Sequence, residues 1–180
     1  NPKFNQYSKI SNSVKRHIDE VLSEPIKLPN FLGIDTKYKK TQCSSYKINK
    51  PICEYNLVNT NGLDSYFKSY KESKLLWEKT SFSDKKDVFL KAADLIENKY
   101  YDKMLAYTIV GQNKNVYEAE IDSICELVDF LRFNVHYAET IIEKQPIQTE
   151  NITNISEYNS LNGFVASITP FNFTAIGGNL

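Results

Sequence analysis

The sequence has no excess of charge of either sign and almost no arginine. Its 22 basic residues balance 22 acidic ones, and only Arg16 and Arg132 are arginines. A neutral chain has no bulk electrostatic attraction for nucleic acid or for an anionic membrane surface. We therefore expect neither partner. The abundance of lysine and asparagine indicates a compositional bias, which lowers the motif value of both residue types.

Cysteines are few and isolated. The chain has three, Cys43, Cys53 and Cys125, and no CxxC pair. An odd number without close spacing supports neither a disulfide framework nor a zinc site. The cysteines therefore favour a reducing compartment, and we predict no metal ion.

Long apolar runs are also missing. No stretch reaches the roughly 18 apolar residues that a membrane-spanning helix needs, so we predict no membrane insertion. The first 18 residues carry several basic side chains and no acid before Asp19. This pattern faintly resembles an organellar targeting segment, although arginine is scarce in it.

The residues that are abundant indicate a globular protein. Hydrophobic residues make up 41% and aromatic residues 13% of the chain, which is ample for a core. One stretch combines lysines with tyrosines: Lys37, Tyr38, Lys39, Lys40, Tyr46, Lys47 and Lys50. Such a stretch can stack on single-stranded nucleic acid, but in a neutral chain of this composition a solvated face is favoured.

Periodicity predicts a change of character along the chain. Residues 13–24 read as an amphipathic helix, and residues 42–48 and 52–58 as extended pieces of a hairpin-like flap. From Gly62 onward helix follows helix. Ser81 and Asn115 begin two helices with capping patterns, and Gly111 is the expected left-handed end of the helix between them.

The helix that begins after Asn115 meets no breaker until Pro146 and has two non-polar faces. One face predicts core: Tyr117, Ile121, Ile124, Val128, Leu131, Val135, Ala138 and Ile142. The opposite face aligns Glu126 with three aromatic residues: Phe130, Phe133 and Tyr137. We therefore expect both sides to be covered. Glu126 then either reaches water or a lysine, or lines a ligand channel; Cys125 is better explained as a small buried hydrophobe than as a nucleophile.

The last residues form a strand-loop-helix pattern. An extended apolar run over residues 164–169 passes through Pro170 into a turn, and small residues follow in the manner of a helix beginning. Junctions of this kind often carry the chemistry of α/β enzymes.

Three segments together resemble a known family. They are "FLKAADLIENKY" (89–100), "GQNKNVYEAEIDSICELVDFLRFNVHYAE" (111–139) and "GFVASITPFNFTAIGGNL" (163–180). They are similar to the aldehyde dehydrogenase superfamily, and most like its Δ1-pyrroline-5-carboxylate dehydrogenase branch. The likeness covers residues 62–180 well and residues 1–61 only loosely.

The resemblance implies an α/β fold of aldehyde dehydrogenase type. Residues 1–61 would form an N-terminal helix and a β-flap segment, and residues 62–146 the helical region of the cofactor-binding domain. Residues 147–180 would supply a connecting strand and the first strand-turn-helix of a Rossmann-like parallel sheet. The resemblance further implies NAD-dependent oxidation of glutamate γ-semialdehyde to glutamate in proline breakdown, a homodimer or higher homo-oligomer, and the mitochondrial matrix, with the cytoplasm as the alternative.

The resemblance also assigns roles to individual residues. Asn172 matches the asparagine whose amide helps to hold the oxyanion, and Thr169, Pro170 and Phe171 match the strand end that lies against the cofactor. Phe173 and Glu126 match residues beside the aldehyde substrate. For Glu126 this implied role favours the ligand channel over the solvent-exposed alternative.

The sequence also departs from the family pattern. The nucleophilic cysteine and the glycine-rich pyrophosphate turn of the family are not found within these 180 residues. We therefore expect the chain to be the N-terminal part of such an enzyme, inactive by itself. The alternative is a truncated, catalytically inactive paralogue that serves as a structural subunit. The intact mass of the natural protein distinguishes the two.

Overall fold

The computed structural model describes residues 2–5, 8–29, 38–45 and 47–178. These residues form a mixed α/β unit in which helices predominate. Its elements are α1 (Asn12–Ser23), β1 (Ile26–Lys27), β2 (Lys39–Cys43), β3 (Pro51–Asn56), α2 (Thr60–Lys79), α3 (Phe82–Asp94), α4 (Tyr101–Gln112), α5 (Val116–Glu120) and α6 (Leu127–Glu143). Two π-helical segments, Leu95–Lys99 and Ile121–Glu126, and a 3₁₀ turn, Ile176–Gly178, complete the unit.

The predicted N-terminal helix is confirmed as α1. The Ser11 side chain caps it by accepting a hydrogen bond from the Val14 amide at 3.2 Å. Its apolar stripe is buried: Val14, Ile18, Val21 and Leu22. These side chains share one core with α4 and α5, so the first helix of the chain is packed against the middle of the sequence.

The predicted flap is a three-stranded sheet with the order β1-β3-β2. β2 and β3 pair antiparallel as the hairpin pattern indicates, although β2 begins earlier and β3 ends earlier than expected. β1 pairs parallel to β3. Of the lysine and tyrosine stretch, Lys37 and Tyr46 lie outside the described residues, while Lys39 and Lys40 lie exposed on β2.

The end of α4 differs from the prediction. Gly111 lies inside the helix, and the left-handed residue that follows it is Asn113, with φ 55°. Asparagine is the non-glycine residue that adopts this conformation most readily, because its short polar side chain can bond locally. The helix therefore continues past the glycine and ends at the asparagine.

Residues 116–143 form one long helix, as predicted, but not a uniform one. Asn115 and Glu118 form a reciprocal capping box at its start. The π-helical segment Ile121–Glu126 then separates α5 from α6. Periodicity cannot reveal this wider turn, because it assumes the α-helical repeat throughout.

The two predicted faces of the long helix have different outcomes. Four residues of the core stripe are buried, Ile124, Val128, Leu131 and Val135, whereas Ile142 at its end is 40% exposed, so the prediction is wrong for that residue. Phe133 and Tyr137 of the aromatic face are 52% and 58% exposed, so the expectation that this face is covered is wrong for the described part of the chain. Within the described chain the two rings lie beside each other, with centroids 6.3 Å apart, and remain open to solvent.

The run at residues 164–169 has no strand partner among the described residues. A strand is defined by hydrogen bonds to a neighbour, and here the start of the segment contacts α2 instead. Tyr70 donates a hydrogen bond to the Gly163 carbonyl, and the Phe67 and Phe164 rings lie 5.4 Å apart. In the described ranges no helix combines the length and apolar character needed to cross a membrane.

Candidate functional site

The candidate site is the loop at residues 169–174, which lies beside the π-helical segment. The Asn172 side chain is exposed, whereas its backbone carbonyl accepts a hydrogen bond from Lys114 Nζ at 2.6 Å. Phe171 and Phe173 flank it on the same loop. The structure thus fixes the main chain of Asn172 and leaves its amide side chain open to solvent.

Lys114 is held between α4 and α5 and contacts three groups. Besides the Asn172 carbonyl, its ammonium donates to Asp122 Oδ2 at 2.7 Å and lies 4.8 Å from the centre of the Phe173 ring. The side chain of Asp122 is only 3% exposed, against 20% for that of Lys114. A buried carboxylate needs such a partner, so this ion pair links the long helix to the loop.

Thr174 attaches the end of the loop to the same helices. Its backbone N–H donates to Asp122 Oδ1 at 3.4 Å, and its hydroxyl lies 2.8 Å from that of the fully buried Thr108. Thr108 donates its own proton to the Met104 carbonyl at 2.9 Å. A hydroxyl has one proton to give, so Thr174 is the donor between the two threonines.

Gln112 and Gly177 both lie close to the first half of the loop. Gln112 Nε2 lies 3.5 Å from the Phe171 carbonyl, and within the described chain its buried Oε1 has no hydrogen-bond partner. A Cβ on Gly177 would lie 3.1 Å from the Pro170 ring and 3.2 Å from Thr169 Cβ. The absence of a side chain at Gly177 therefore allows the turn to close on Thr169 and Pro170.

Glu126 ends the π-helical segment and is half-buried. It follows Asp122 by four residues within the same segment. Within the described ranges the Glu126 carboxylate has no ion-pair or hydrogen-bond partner, whereas Asp122 has two. The lysine pairing that the sequence leaves open for Glu126 is thus not observed in this part of the chain.

Sequence reasoning missed a second buried carboxylate, Glu120, which is 1% exposed. It accepts hydrogen bonds from the backbone amides of Lys3 at 2.6 Å and Phe4 at 2.8 Å, and from the Tyr101 hydroxyl. Burial, with the added effect of the Glu120 carboxylate, raises the pKa of Tyr101 well above its usual range. Glu120 therefore anchors the start of the chain to the long helix.

Lys114, Asp122 and Thr108 are the residues of the loop site that sequence reasoning missed. Their contacts with the loop join residues more than 50 positions apart in the sequence. In addition, lysine has little motif value in this composition. The family resemblance of residues 111–139 is the sequence feature that includes Lys114 and Asp122.

Cys53 and Cys125 are poorly suited to act as nucleophiles. Burial raises the pKa of the Cys125 thiol, with a further contribution from Glu120, and burial likewise raises the pKa of Cys53. A raised pKa leaves less thiolate at neutral pH, and the thiolate is the reactive form. Across the described residues no cluster of three or more His, Cys, Asp or Glu side chains is arranged to hold a metal ion.

Comparison with known proteins gives one consistent relationship. Residues 35–177 match the model of the aldehyde dehydrogenase family. The Δ1-pyrroline-5-carboxylate dehydrogenase of Emericella nidulans is 47% identical over 131 residues, covering 72% of this chain and 23% of that protein. The human mitochondrial enzyme of the same name is 34% identical over 180 residues, covering 98% of this chain and 32% of that protein.

Solved structures agree in fold. The Mycobacterium tuberculosis Δ-pyrroline-5-carboxylate dehydrogenase bound with NAD matches with a TM-score of 0.87 and 35% identity, over 100% of this chain and 35% of that one. A Thermus 1-pyrroline-5-carboxylate dehydrogenase at 15% identity and a TM-score of 0.67 supports the fold alone. The predicted α/β fold of this type is thus confirmed, and the chain spans about a third of these relatives' length. The chain belongs to the aldehyde dehydrogenase family.

Proposed function

We propose that this chain is the N-terminal part of an NAD-dependent dehydrogenase that oxidises glutamate γ-semialdehyde to glutamate. The observation that carries the proposal is the fixed loop with its exposed amide: Asn172 has a clamped carbonyl and an open side chain. The names of the relatives support the substrate, and the NAD-bound neighbour supports the cofactor.

Asn172 has the chemistry of an oxyanion donor. When a thiolate adds to an aldehyde, negative charge develops on the carbonyl oxygen, and a pre-oriented N–H group stabilises it. A side-chain amide donates without depending on its protonation state. We propose that the thiolate comes from outside these 180 residues, since none of the three cysteines matches the family's nucleophile motif and burial disfavours thiolate formation at Cys53 and Cys125.

Glu126 and Phe173 are proposed to border the substrate. Glutamate γ-semialdehyde carries an amino group, and its cyclic form an imino nitrogen, either of which a carboxylate attracts when it is cationic. Glu126 is half-buried, and its carboxylate is unpaired within the described residues, so it is available for such a contact. Phe173 adds an apolar wall, and its ring is already held by the Lys114 ammonium.

The residues at the strand end fit one wall of a cofactor site. Thr169, Pro170 and Phe171 are exposed and uncharged, and the close approach of Gly177 keeps their backbone in a compact turn. When bound, NAD accepts the hydride that leaves the adduct carbon. Thr169, Pro170 and Phe171 would orient the ring that receives it and exclude water from that side.

The compartment is proposed by analogy with relatives, and the assembly from the family resemblance of the sequence. Those of Emericella nidulans, Dictyostelium discoideum and human are named mitochondrial. We therefore propose the mitochondrial matrix. From the family resemblance we also propose a homodimer or higher homo-oligomer. Fluorescence microscopy of the tagged protein and its sedimentation in solution test the two statements.

The function is tested with protein expressed from its complete reading frame. The wild type is expected to reduce NAD when supplied with glutamate γ-semialdehyde, measured by the absorbance of NADH. Asn172→Ala is expected to lower kcat by about 10²-fold or more, because the developing oxyanion loses a fixed donor. Near-normal turnover in this variant would remove Asn172 from the mechanism.

Asn159→Ala is the matched control. Asn159 is an exposed asparagine of the same C-terminal segment. Its replacement is expected to leave kcat unchanged, so a loss seen in both variants would point to misfolding. A wild-type protein that reduces no NAD with this aldehyde would contradict the proposed function itself.

A further inference from the structure

We infer that Lys114 is a positioning residue for Asn172, and that the Lys114–Asp122 ion pair sets the orientation of the oxyanion donor. The inference rests on the proposed function and deepens it. It concerns a residue that would touch neither substrate nor cofactor but acts through the main chain of the residue that does.

Lys114 is itself held firmly. It lies between Asn113, the left-handed end of α4, and Asn115, the N-cap of α5. Both neighbours have defined backbone conformations, so the Cα of Lys114 has little freedom. Its side chain is 20% exposed, which further restricts the directions in which the ammonium can point.

The ammonium distributes its donors between helix and loop. It bonds Asp122 Oδ2 at 2.7 Å and the Asn172 carbonyl at 2.6 Å. Both are charge-assisted hydrogen bonds, which are shorter and stronger than neutral ones. Asn172, whose side-chain amide would face the oxyanion, is thus held through its own backbone carbonyl.

Asp122 closes the arrangement from the other side. Its second oxygen accepts from the Thr174 amide at 3.4 Å, two residues beyond Asn172. The loop is therefore attached to one ion pair at two points: the carbonyl of the peptide unit that follows Asn172 and the N–H of the next peptide unit. Moving either point would rotate the Asn172 side chain.

The test compares variants of the protein expressed from its complete reading frame. Lys114→Met keeps most of the side-chain bulk and removes the donors. We expect kcat to fall about 10- to 10²-fold, because small displacements of a catalytic group cost that much. The KM for glutamate γ-semialdehyde should be nearly unchanged, since the lost interaction acts on the transition state. Lys114→Arg should recover most of kcat.

A double variant separates positioning from simple charge neutralisation. Lys114→Met leaves the buried Asp122 unpaired, which destabilises the fold. Adding Asp122→Asn removes that charge and should restore the melting temperature, but kcat should stay low because the Asn172 carbonyl still lacks its donor. Recovery of kcat in the double variant would overturn the inference, as would normal kcat in Lys114→Met.

A second readout does not depend on activity. Hydrogen exchange of the amides at residues 171–175 should be faster in Lys114→Met than in the wild type. Unchanged exchange there counts against the inference, whereas an inactive wild type counts against the proposed function. Lys103→Met is the control, because that ammonium lies over the Tyr107 ring and no described contact joins it to the loop.

Discussion

The hydrogen bonding of individual carboxylate side chains in this chain follows their burial. Asp122 and Glu120 are both almost fully buried on one short stretch of helix, yet each has its own set of donors. Glu126, a few residues later, is half-buried and lacks such donors among the described residues. The spacing of aromatic residues after Glu126 predicts a special role for it. No sequence pattern distinguishes Glu120 and Asp122, although they accept more hydrogen bonds.

Cys125 is expected to react slowly with iodoacetamide at neutral pH. Burial raises its pKa, so at any given pH it carries less thiolate than an ordinary cysteine, and its reactivity should rise only at more alkaline pH. The measurement is the alkylation rate of the Cys125 peptide by mass spectrometry across a pH series. The same peptide in urea-unfolded protein is the control. Equal rates in folded and unfolded protein would contradict the effect of burial.

Local signals at the ends of elements were predictable from the sequence. The Ser81 cap of α3 and the Asn115–Glu118 capping box depend on residues three apart, which a sequence displays directly. The sequence predicts the left-handed position at Gly111. The helix instead continues to Gln112 and ends at Asn113, because asparagine also adopts this conformation. The π-helical segment has no comparable signal.

Replacing Asn113 tests the end of α4. Asn113→Ala should destabilise this end by about 1 kcal/mol, because alanine adopts the left-handed conformation at a cost, whereas Asn113→Gly should be close to neutral. Local hydrogen exchange at residues 109–113 measures the difference. Equal exchange in the alanine and glycine variants would show that the backbone conformation is not what ends the helix.

At the scale of the whole molecule, distant parts of the sequence meet on the long helix. Glu120 bonds residues 3 and 4, and Asp122 reaches the loop at residues 172–174. Such contacts could not be predicted, because nothing in a single sequence links positions more than 50 residues apart. The division at residues 61 and 146 stays a prediction, and α1 already shares a core with α4 across the first of these boundaries.

Glu120→Gln is expected to release the start of the chain. The glutamine amide would present a donor to a site that already holds backbone N–H donors, at a cost of about 1–3 kcal/mol. Limited proteolysis should then cut within residues 2–11 before any other site. Asp129→Asn, at an exposed carboxylate of α6, is the control and should digest like the wild type. Identical digestion of the Glu120 variant would show that the anchor is dispensable.

The π-helical segment Ile121–Glu126 also determines how the gene can change. A π turn contains about one residue more than an α turn, so deleting one residue there would restore a regular helix. An α turn would then replace the wider turn, and α5 and α6 would keep nearly the same facing, so Glu120 would still point toward residues 3 and 4. A deletion within the regular turns of α6 would instead rotate the helix on one side of it by about 100°. The segment is therefore the place in the long helix where a change of length least disturbs the contacts on either side.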